Sequence, residues 1–192
     1  MKKILRKPPK IVCIMKGTFH GGNSEVNINY PLMMIGAGRN KTFLDGYNLH
    51  IGGTKEEGKE VVVQDMTSSR AWRGLDACNG LSFLCERMTF THCGTHGVYA
   101  CDTKGRLINC VITQCGYSGI YSTSNALIEV EGSQANVHGN VTSGRGSGLY
   151  TYNTSSRIHL LFPLTKESVS TNNQGGRNYG GHGTIETVNS FE

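Results

Sequence analysis

The feature that most constrains this chain is an internal repeat of about 22 residues. Residues 86–99 align with residues 108–121, and the match continues through both turns and strands. The aligned pairs are Cys93 with Cys115, Gly94 with Gly116, Gly97 with Gly119, Val98 with Ile120, and Tyr99 with Tyr121. An earlier copy ends at Cys78, and a later copy ends at Tyr152 after a longer loop. Repeats with periods of 20–50 residues are typical of solenoids.

The sequence of each copy of the repeat predicts short β-strands. The short β-rich runs are Val61–Val63, Met88–Thr91, Val111–Thr113 and Leu127–Val130, and Gly, Asn, Ser and Thr turns separate them. No copy holds an amphipathic stretch long enough for a helix, or the leucine pattern of a leucine-rich repeat. The sequence therefore predicts a parallel β-helix of about seven or eight coils, stacked about 4.8 Å apart, in which equivalent residues form columns.

Composition agrees with a turn-rich β protein. The chain has 192 residues, of which 26 are Gly, and only 17% are charged. A helical bundle would be richer in Ala, Glu, Lys and Leu, and a disordered chain would carry more charge. We expect one all-β domain over residues 11–192, with a loop or cap from about residue 160. Residues 1–10 are expected to form a basic N-terminal tail.

The start of the chain carries a second pattern. A first apolar run ends at the turn Gly17-Thr18-Phe19, a later run leads into Gly36-Ala37-Gly38, and residues 42–46 follow as Thr-Phe-Leu-Asp-Gly. With the repeat, residues 11–160 resemble the right-handed β-helix proteins of the pectin-lyase-like superfamily. The resemblance implies a right-handed, single-stranded solenoid. It leaves function open, because this superfamily contains lyases, hydrolases, esterases, epimerases, tailspikes and non-catalytic recognition domains.

Strand alternation predicts which side chains point outward. With Leu75, Val98, Ile120 and Leu149 directed inward, the next residue of each coil faces solvent. This outward column contains Asp76, Tyr99, Tyr121 and Tyr150. Two interpretations are open. The tyrosines could form a platform for sugar rings, with Asp76 as a polar handle, or they could form a surface ladder that stabilises neighbouring coils.

A second column has the residue types of tight corners. It contains Asn79, Asp102, Ser124 and Asn153, whose side chains can bond to their own backbone. Arg87 and Asn109 share another column with Asp65, and we interpret it in the same way. Asp102 would have a functional role only with a partner residue.

The candidate catalytic residues are Asp76, Asp102 and Arg73. A glycosidase needs two carboxylates at the scissile bond, and a lyase needs a base near a calcium site. Asp76 and Asp102 lie about one coil apart but three positions out of column. None of the complete catalytic sets of carbohydrate-active β-helices is recognisable in the sequence.

The candidate metal ligands are His92 and His96. They flank Cys93, which the repeat places beside Cys115. Their spacing matches no standard zinc pattern, and the next coil has Gln and Ser at the two histidine positions, as exposed turns allow. The sequence contains no P-loop and no dinucleotide-binding fingerprint, and we predict no cofactor.

Charge, hydropathy and cysteine content restrict the partners, the location and the thiol state that we expect. The net charge is +5, and the basic residues concentrate at the N-terminus without interleaved aromatic residues, so nucleic acid is not a favoured partner. No apolar stretch approaches the length of a membrane span. No signal peptide is visible, so we expect an intracellular location, with secretion open for a processed product or fragment. The seven cysteines are an odd number without a CxxC, which favours free thiols.

The leading functional hypothesis is a non-catalytic β-helix that acts through its surface. Such a structural or recognition module would bind a polysaccharide or dock in a larger assembly. The alternative is a carbohydrate-active enzyme, similar to a polysaccharide lyase or a glycoside hydrolase, that acts on a uronate-type polymer.

Overall fold

A computed structural model of the chain describes residues 10–56 and 58–189, so the predicted basic tail lies outside it apart from Lys10. The described residues form twenty strands, one short helix and one 3₁₀ turn, Gln174–Gly176. The strands are β1 Ile11–Cys13, β2 Gly17–Ile28, β3 Met33–Ile35, β4 Thr42–Ile51, β5 Glu60–Gln64, β6 Thr67–Ser69, β7 Leu75–Cys78, β8 Ser82–Glu86, β9 Thr89–Thr91, β10 Val98–Cys101, β11 Lys104–Ile108, β12 Val111–Thr113, β13 Ile120–Thr123, β14 Leu127–Glu131, β15 Asn136–His138, β16 Leu149–Thr151, β17 Arg157–Leu161, β18 Ser170–Thr171, β19 Tyr179–Gly181 and β20 Thr184–Val188.

The strands pair in parallel and wind into a solenoid of about 8 turns, with equivalent positions about 23 residues apart. This confirms the predicted all-β parallel β-helix. Face A of the solenoid is an eight-stranded sheet in the order β1-β3-β5-β8-β11-β14-β17-β20. Face B contains the first half of β4 with β6, β9, β12, β15 and β18, and face C contains the second half of β4 with β7, β10, β13, β16 and β19.

Faces B and C meet in β4, which serves both of them. Phe43–Asp45 pair with β6, whereas Leu49–Ile51 pair with β7. Between these halves lies Gly46, whose φ of 77° is a left-handed conformation that favours glycine. The strand therefore turns a corner of the solenoid without leaving the sheet.

The core is built from stacked inward columns. Leu49, Leu75, Val98, Ile120 and Leu149 follow one another in the register of face C, and each is fully buried. The inward column that strand alternation predicts begins at Leu75, and Leu49 extends it by one coil. Burying one such side chain contributes roughly 1.5–3 kcal/mol, so the columns supply the main stabilisation of the fold.

Residues in the left-handed conformation form the corners. Between faces C and A, φ is 50° at Asn79, 47° at Asp102 and 50° at Ser124, in agreement with the turn column read from the sequence. The Asn153 side-chain oxygen accepts a hydrogen bond of 3.1 Å from the Ser124 N–H. Short polar side chains tolerate this backbone conformation better than others, which explains the composition of the column.

Buried asparagines hold the longer coils together. The Asn140 side-chain oxygen accepts from the Cys115 N–H at 3.0 Å, and its amide nitrogen donates to the Ile112 carbonyl at 3.0 Å. In the next coil, the Asn173 oxygen accepts from the Asn140 N–H at 3.0 Å. These amide side chains satisfy buried backbone groups where longer loops interrupt the regular ladder.

The segment after residue 160 adds a further coil. Helix α1, Lys166–Val169, begins at Thr165, where the side chains of Thr165 and Ser168 form a reciprocal capping box. Strands β18, β19 and β20 then extend the three faces. No helix in residues 10–56 and 58–189 is long and apolar enough to cross a membrane.

The packing around Gly105 yields a first prediction. A Cβ atom at this position would lie 2.0 Å from the Cζ atom of Phe83, which stacks on it from the preceding coil. We expect Gly105→Ala to destabilise the protein by about 1–3 kcal/mol, because the buried ring has to shift. Urea denaturation measures the loss.

The neighbouring outward variant Lys104→Ala is the control and should change the free energy of unfolding by less than about 0.5 kcal/mol. The double variant Gly105→Ala with Phe83→Leu should recover part of the loss. Equal stability of Gly105→Ala and the natural protein would contradict this account of the packing.

Candidate functional site

The outward column predicted from the sequence lies on face C. In the strand register Tyr99 pairs with Asp76 and with Tyr121, and Tyr121 pairs with Tyr150. His50 precedes Asp76 in the same register. We refer to Tyr99, Tyr121 and Tyr150 as the tyrosine ladder.

The rings of the tyrosine ladder stack on one another. The ring centroids of Tyr99 and Tyr121 are 5.3 Å apart at an interplanar angle of 12°, and those of Tyr121 and Tyr150 are 5.4 Å apart at 22°. Rings this close and this nearly parallel overlap at least partly face to face. The ladder therefore stabilises neighbouring coils, and it presents ring edges, the uncovered parts of the ring faces and hydroxyl groups to a ligand.

Burial also affects the tyrosine hydroxyl groups. It raises the pKa of Tyr121 to about 12, and the neighbouring tyrosines act in the same direction. Burial raises the pKa of Tyr99 as well, and the nearby Cys78 thiol acts on it in the same direction. Both phenols remain protonated at neutral pH, so each can donate and accept hydrogen bonds.

An ion pair closes one end of the ladder. The Arg73 guanidinium carbon lies 3.8 Å from the centroid of the Tyr99 ring, and its Nη1 donates to Asp76 Oδ2 at 2.8 Å. The His50 Nδ1 atom is 4.0 Å from the same carboxylate oxygen. The side chain of Asp76 is 14% exposed and that of Arg73 is 27% exposed. The structure thus brings two of the three candidate catalytic residues together.

Asp102, the third candidate, has a separate partner. Its carboxylate accepts a hydrogen bond from Lys55 Nζ at 2.7 Å. It lies in the corner between faces C and A, in a cleft of about 440 Å³ that Gly80, Ser82 and Lys104 also line. Asp76 and Asp102 are therefore each paired with their own cation.

The two candidate metal ligands occupy different environments. His92 is exposed in the turn that follows β9, with its Nδ1 2.9 Å from Thr91 Oγ1. His96 is buried at the entry to face C, where its Nδ1 accepts a hydrogen bond of 3.3 Å from the Ser118 N–H. Among the described residues, no group of three or more His, Cys, Asp and Glu side chains could hold a metal ion.

His96 belongs to the aromatic cluster of face C. Its ring centroid is 4.5 Å from that of Tyr121 and 5.8 Å from that of Tyr99. Burial, followed by the positive charge of Arg73, lowers the pKa of His96 to about 4, so its imidazole is neutral at pH 7. The repeat already places His96 one coil after Arg73, but its contact with the ladder depends on side-chain direction.

Two further tyrosines border the ladder. The Tyr152 ring stacks near Tyr121 at 6.1 Å and is 56% exposed, and Tyr117 meets His96 edge-on at 5.8 Å. Sequence reasoning did not include either in the candidate site. Alternation gave a usable signal for Tyr152, because it follows Tyr150 by two positions and so shares its face.

A separate cluster on face B surrounds Asp45. This nearly buried carboxylate accepts hydrogen bonds from Arg70 Nε at 2.6 Å, from His20 Nδ1 at 2.8 Å and from Ser69 Oγ at 3.1 Å. The Arg70 guanidinium holds the pKa of Asp45 well below its usual range. Because both carboxylate oxygens are occupied, we interpret the cluster as a clamp between the first coils.

The buried imidazole yields a prediction about pH. The pKa of His96 is about 4 in the folded protein and about 6.5 in the unfolded chain, so only the unfolded chain gains a proton between these values. His96 therefore makes the folded state lose stability as the pH falls from 6.5 towards 4. We expect this contribution to remove on the order of 2–3 kcal/mol by pH 4.5.

His96→Gln should flatten the fall in unfolding free energy between pH 7 and pH 4.5, as measured by urea denaturation. The control is His92→Gln, which introduces the residue type found one coil later at position 114. The control should keep the slope of the natural protein. Parallel slopes for all three proteins would show that His96 is not buried as a neutral ring.

Comparisons with known proteins show a likeness of fold. No protein-family model matches the chain, and no curated protein does either. Two solved structures resemble it, both of the catalytic domain of a GH87 α-1,3-glucanase variant, one in complex with tetrasaccharides and one with nigerose. The TM-scores are 0.56 and 0.54 at 14% and 15% identity, and each match covers 94% of this chain and 41% of the other. The chain thus spans less than half of these structures and shares their β-helix fold, in agreement with its resemblance to the pectin-lyase-like superfamily.

Proposed function

We propose that the chain is a non-catalytic recognition module that binds a polysaccharide along face C. The observation that carries this proposal is the tyrosine ladder, a continuous strip of half-buried rings and hydroxyl groups on three neighbouring coils. Tyrosine suits a sugar ligand because its ring contacts the apolar face of a sugar and its hydroxyl group bonds to sugar hydroxyls.

The dimensions of the ladder favour a polymer over a single sugar. From Asp76 to Tyr150 the column takes three steps between neighbouring strands, which amounts to about 14 Å along the solenoid axis. Strand pairing fixes these side chains to a rigid sheet, so little conformational entropy is lost on binding. An extended chain that runs parallel to the axis would contact every rung.

An exposed aromatic side chain beside the ladder enlarges this surface. Tyr152 is 56% exposed, and its ring centroid lies 6.1 Å from that of Tyr121. Exposed aromatic rings on a rigid sheet are typical anchors of binding surfaces. The two fold neighbours are in complex with oligosaccharides, which supports the compatibility of this fold with such ligands.

The charged residues favour binding over catalysis. Glycoside hydrolysis needs one carboxylate that protonates the leaving group and a second that acts as nucleophile or base. Asp76 on face C is paired with Arg73, and Asp102 in the corner between faces C and A is paired with Lys55. A lyase-like or hydrolase-like enzyme would have to break one of these ion pairs.

Tyr121, the central residue of the tyrosine ladder, provides the test of binding. We expect Tyr121→Ala to weaken binding to a polysaccharide at least about tenfold, because both ring contact and hydroxyl group are lost. Tyr121→Phe should weaken it less, since the stack is retained. A glycan array identifies the ligand, and titration calorimetry then measures the affinities.

His159→Ala is the matched control, because it removes an outward ring from face A. It should leave the affinity unchanged. The proposal fails if the natural protein binds none of the arrayed glycans, or if Tyr121→Ala, shown by circular dichroism to be folded, binds as well as the natural protein.

A second measurement separates recognition from catalysis. We expect no release of reducing ends or unsaturated products when the protein is incubated with the polysaccharide that it binds. Robust turnover that disappears in Asp76→Asn would contradict the non-catalytic assignment and support the enzyme alternative.

A further inference from the structure

Buried polar atoms without partners concentrate at the Arg73 end of the tyrosine ladder. Within residues 10–56 and 58–189, five buried side-chain nitrogen or oxygen atoms have no hydrogen-bond partner among the protein's own atoms. Four of them belong to this end of face C: Asn48 Oδ1, His50 Nδ1, Arg73 Nε and Asp76 Oδ1. Strand β4 carries Asn48 and His50, and His50 pairs directly with Asp76 on β7. We refer to these four residues as the polar cluster.

Such a concentration is unusual in a folded protein. The great majority of buried polar groups have a partner, and each buried group left without one destabilises the fold by roughly 1–3 kcal/mol. Elsewhere in the described core, the buried amides of Asn140 and Asn173 are hydrogen-bonded. The polar cluster therefore points to a site at which a ligand supplies the missing partners.

The chemistry of the unpaired atoms restricts that ligand. Asp76 Oδ1 and Asn48 Oδ1 can only accept hydrogen bonds, whereas Arg73 Nε can only donate one. His50 Nδ1 can do either, depending on its tautomer. A ligand that satisfies this set must both donate and accept. Hydroxyl groups do both, whereas an ionised carboxylate only accepts.

The charges at the site also favour a ligand that carries no charge. Arg73 is neutralised by its ion pair with Asp76 at 2.8 Å. A uronate whose carboxylate enters the cluster would have to take Arg73 from Asp76, and this carboxylate would then lie beside an uncompensated negative charge. A neutral sugar can donate a hydroxyl to Asp76 and leave the ion pair in place.

We propose that the polar cluster is a specificity subsite for the paired hydroxyl groups of a neutral sugar, and that it selects neutral glycans over uronates. This inference rests on the proposed binding function and names its ligand class. The Arg73 guanidinium lies on the ring of Tyr99, so a sugar reaches the unpaired atoms when the guanidinium moves off this ring while Nη1 keeps its hydrogen bond to Asp76. Asp76 accepts from one sugar hydroxyl, and Arg73 Nε donates to the neighbouring one.

The experiment compares two sets of oligosaccharides of equal length, one neutral and one of uronic acids, by titration calorimetry at a fixed salt concentration. We expect the natural protein to bind the neutral set at least about tenfold more tightly. Asp76→Asn keeps the shape of the side chain and loses its charge. This variant should bind neutral sugars about tenfold or more weakly, and its preference over uronates should shrink.

Asp65→Asn is the matched control, because it removes the partner of Arg87 on a different corner of the solenoid. It should leave both affinities unchanged. Tighter binding of uronates by the natural protein would overturn the subsite assignment and leave the binding function in place. Unchanged neutral-sugar affinity in a folded Asp76→Asn would do the same. Absence of binding to either set would overturn both the proposed function and this subsite.

Discussion

In-register stacking of parallel strands is the constraint on which the rest of the structure depends. Each residue lies about 4.8 Å from its counterpart in the next coil, so a side chain has to be compatible with the residues before and after it in the column. On face C this requirement gives an unbroken apolar column from Leu49 to Leu149 inside. Outside, the same requirement produces the stacked rings of Tyr99, Tyr121 and Tyr150.

A column that repeated the same charge in successive coils would hold like charges about 4.8 Å apart. The outward columns described below avoid this arrangement. On face A, Arg106 is followed by Glu129, and His159 by Glu186. At the next corner, Asp65 pairs with Arg87 through two hydrogen bonds of 2.7 and 2.8 Å. Before face C, Arg73 is followed one coil later by His96, which burial keeps neutral. Adjacent like charges are destabilising, so the column arrangement itself limits where a charged site can arise.

The repeat made the columns predictable from the sequence, but it did not predict the contacts between columns. A fixed period and strand alternation were sufficient to assign Leu75 and Val98 to the core and Tyr121 to the surface. The contact of Arg73 with both Asp76 and Tyr99 depends on side-chain rotamers, and the spacing of residues in the sequence does not determine these. The His20–Asp45 contact also escaped the sequence reading, because the first coils differ in length from the later repeat.

The two ends of the tyrosine ladder differ in a way that gives the proposed binding face a direction. At one end, the guanidinium of Arg73 covers the ring of Tyr99 and the polar cluster lies beside it. At the other end, Gly180 follows Tyr150 in the register and has no side chain to cover that ring. A bound polymer would therefore meet hydrogen-bonding groups at the first coil and an aromatic ring at the last. Because a glycan chain also has two different ends, such a surface would bind it in one orientation along the axis.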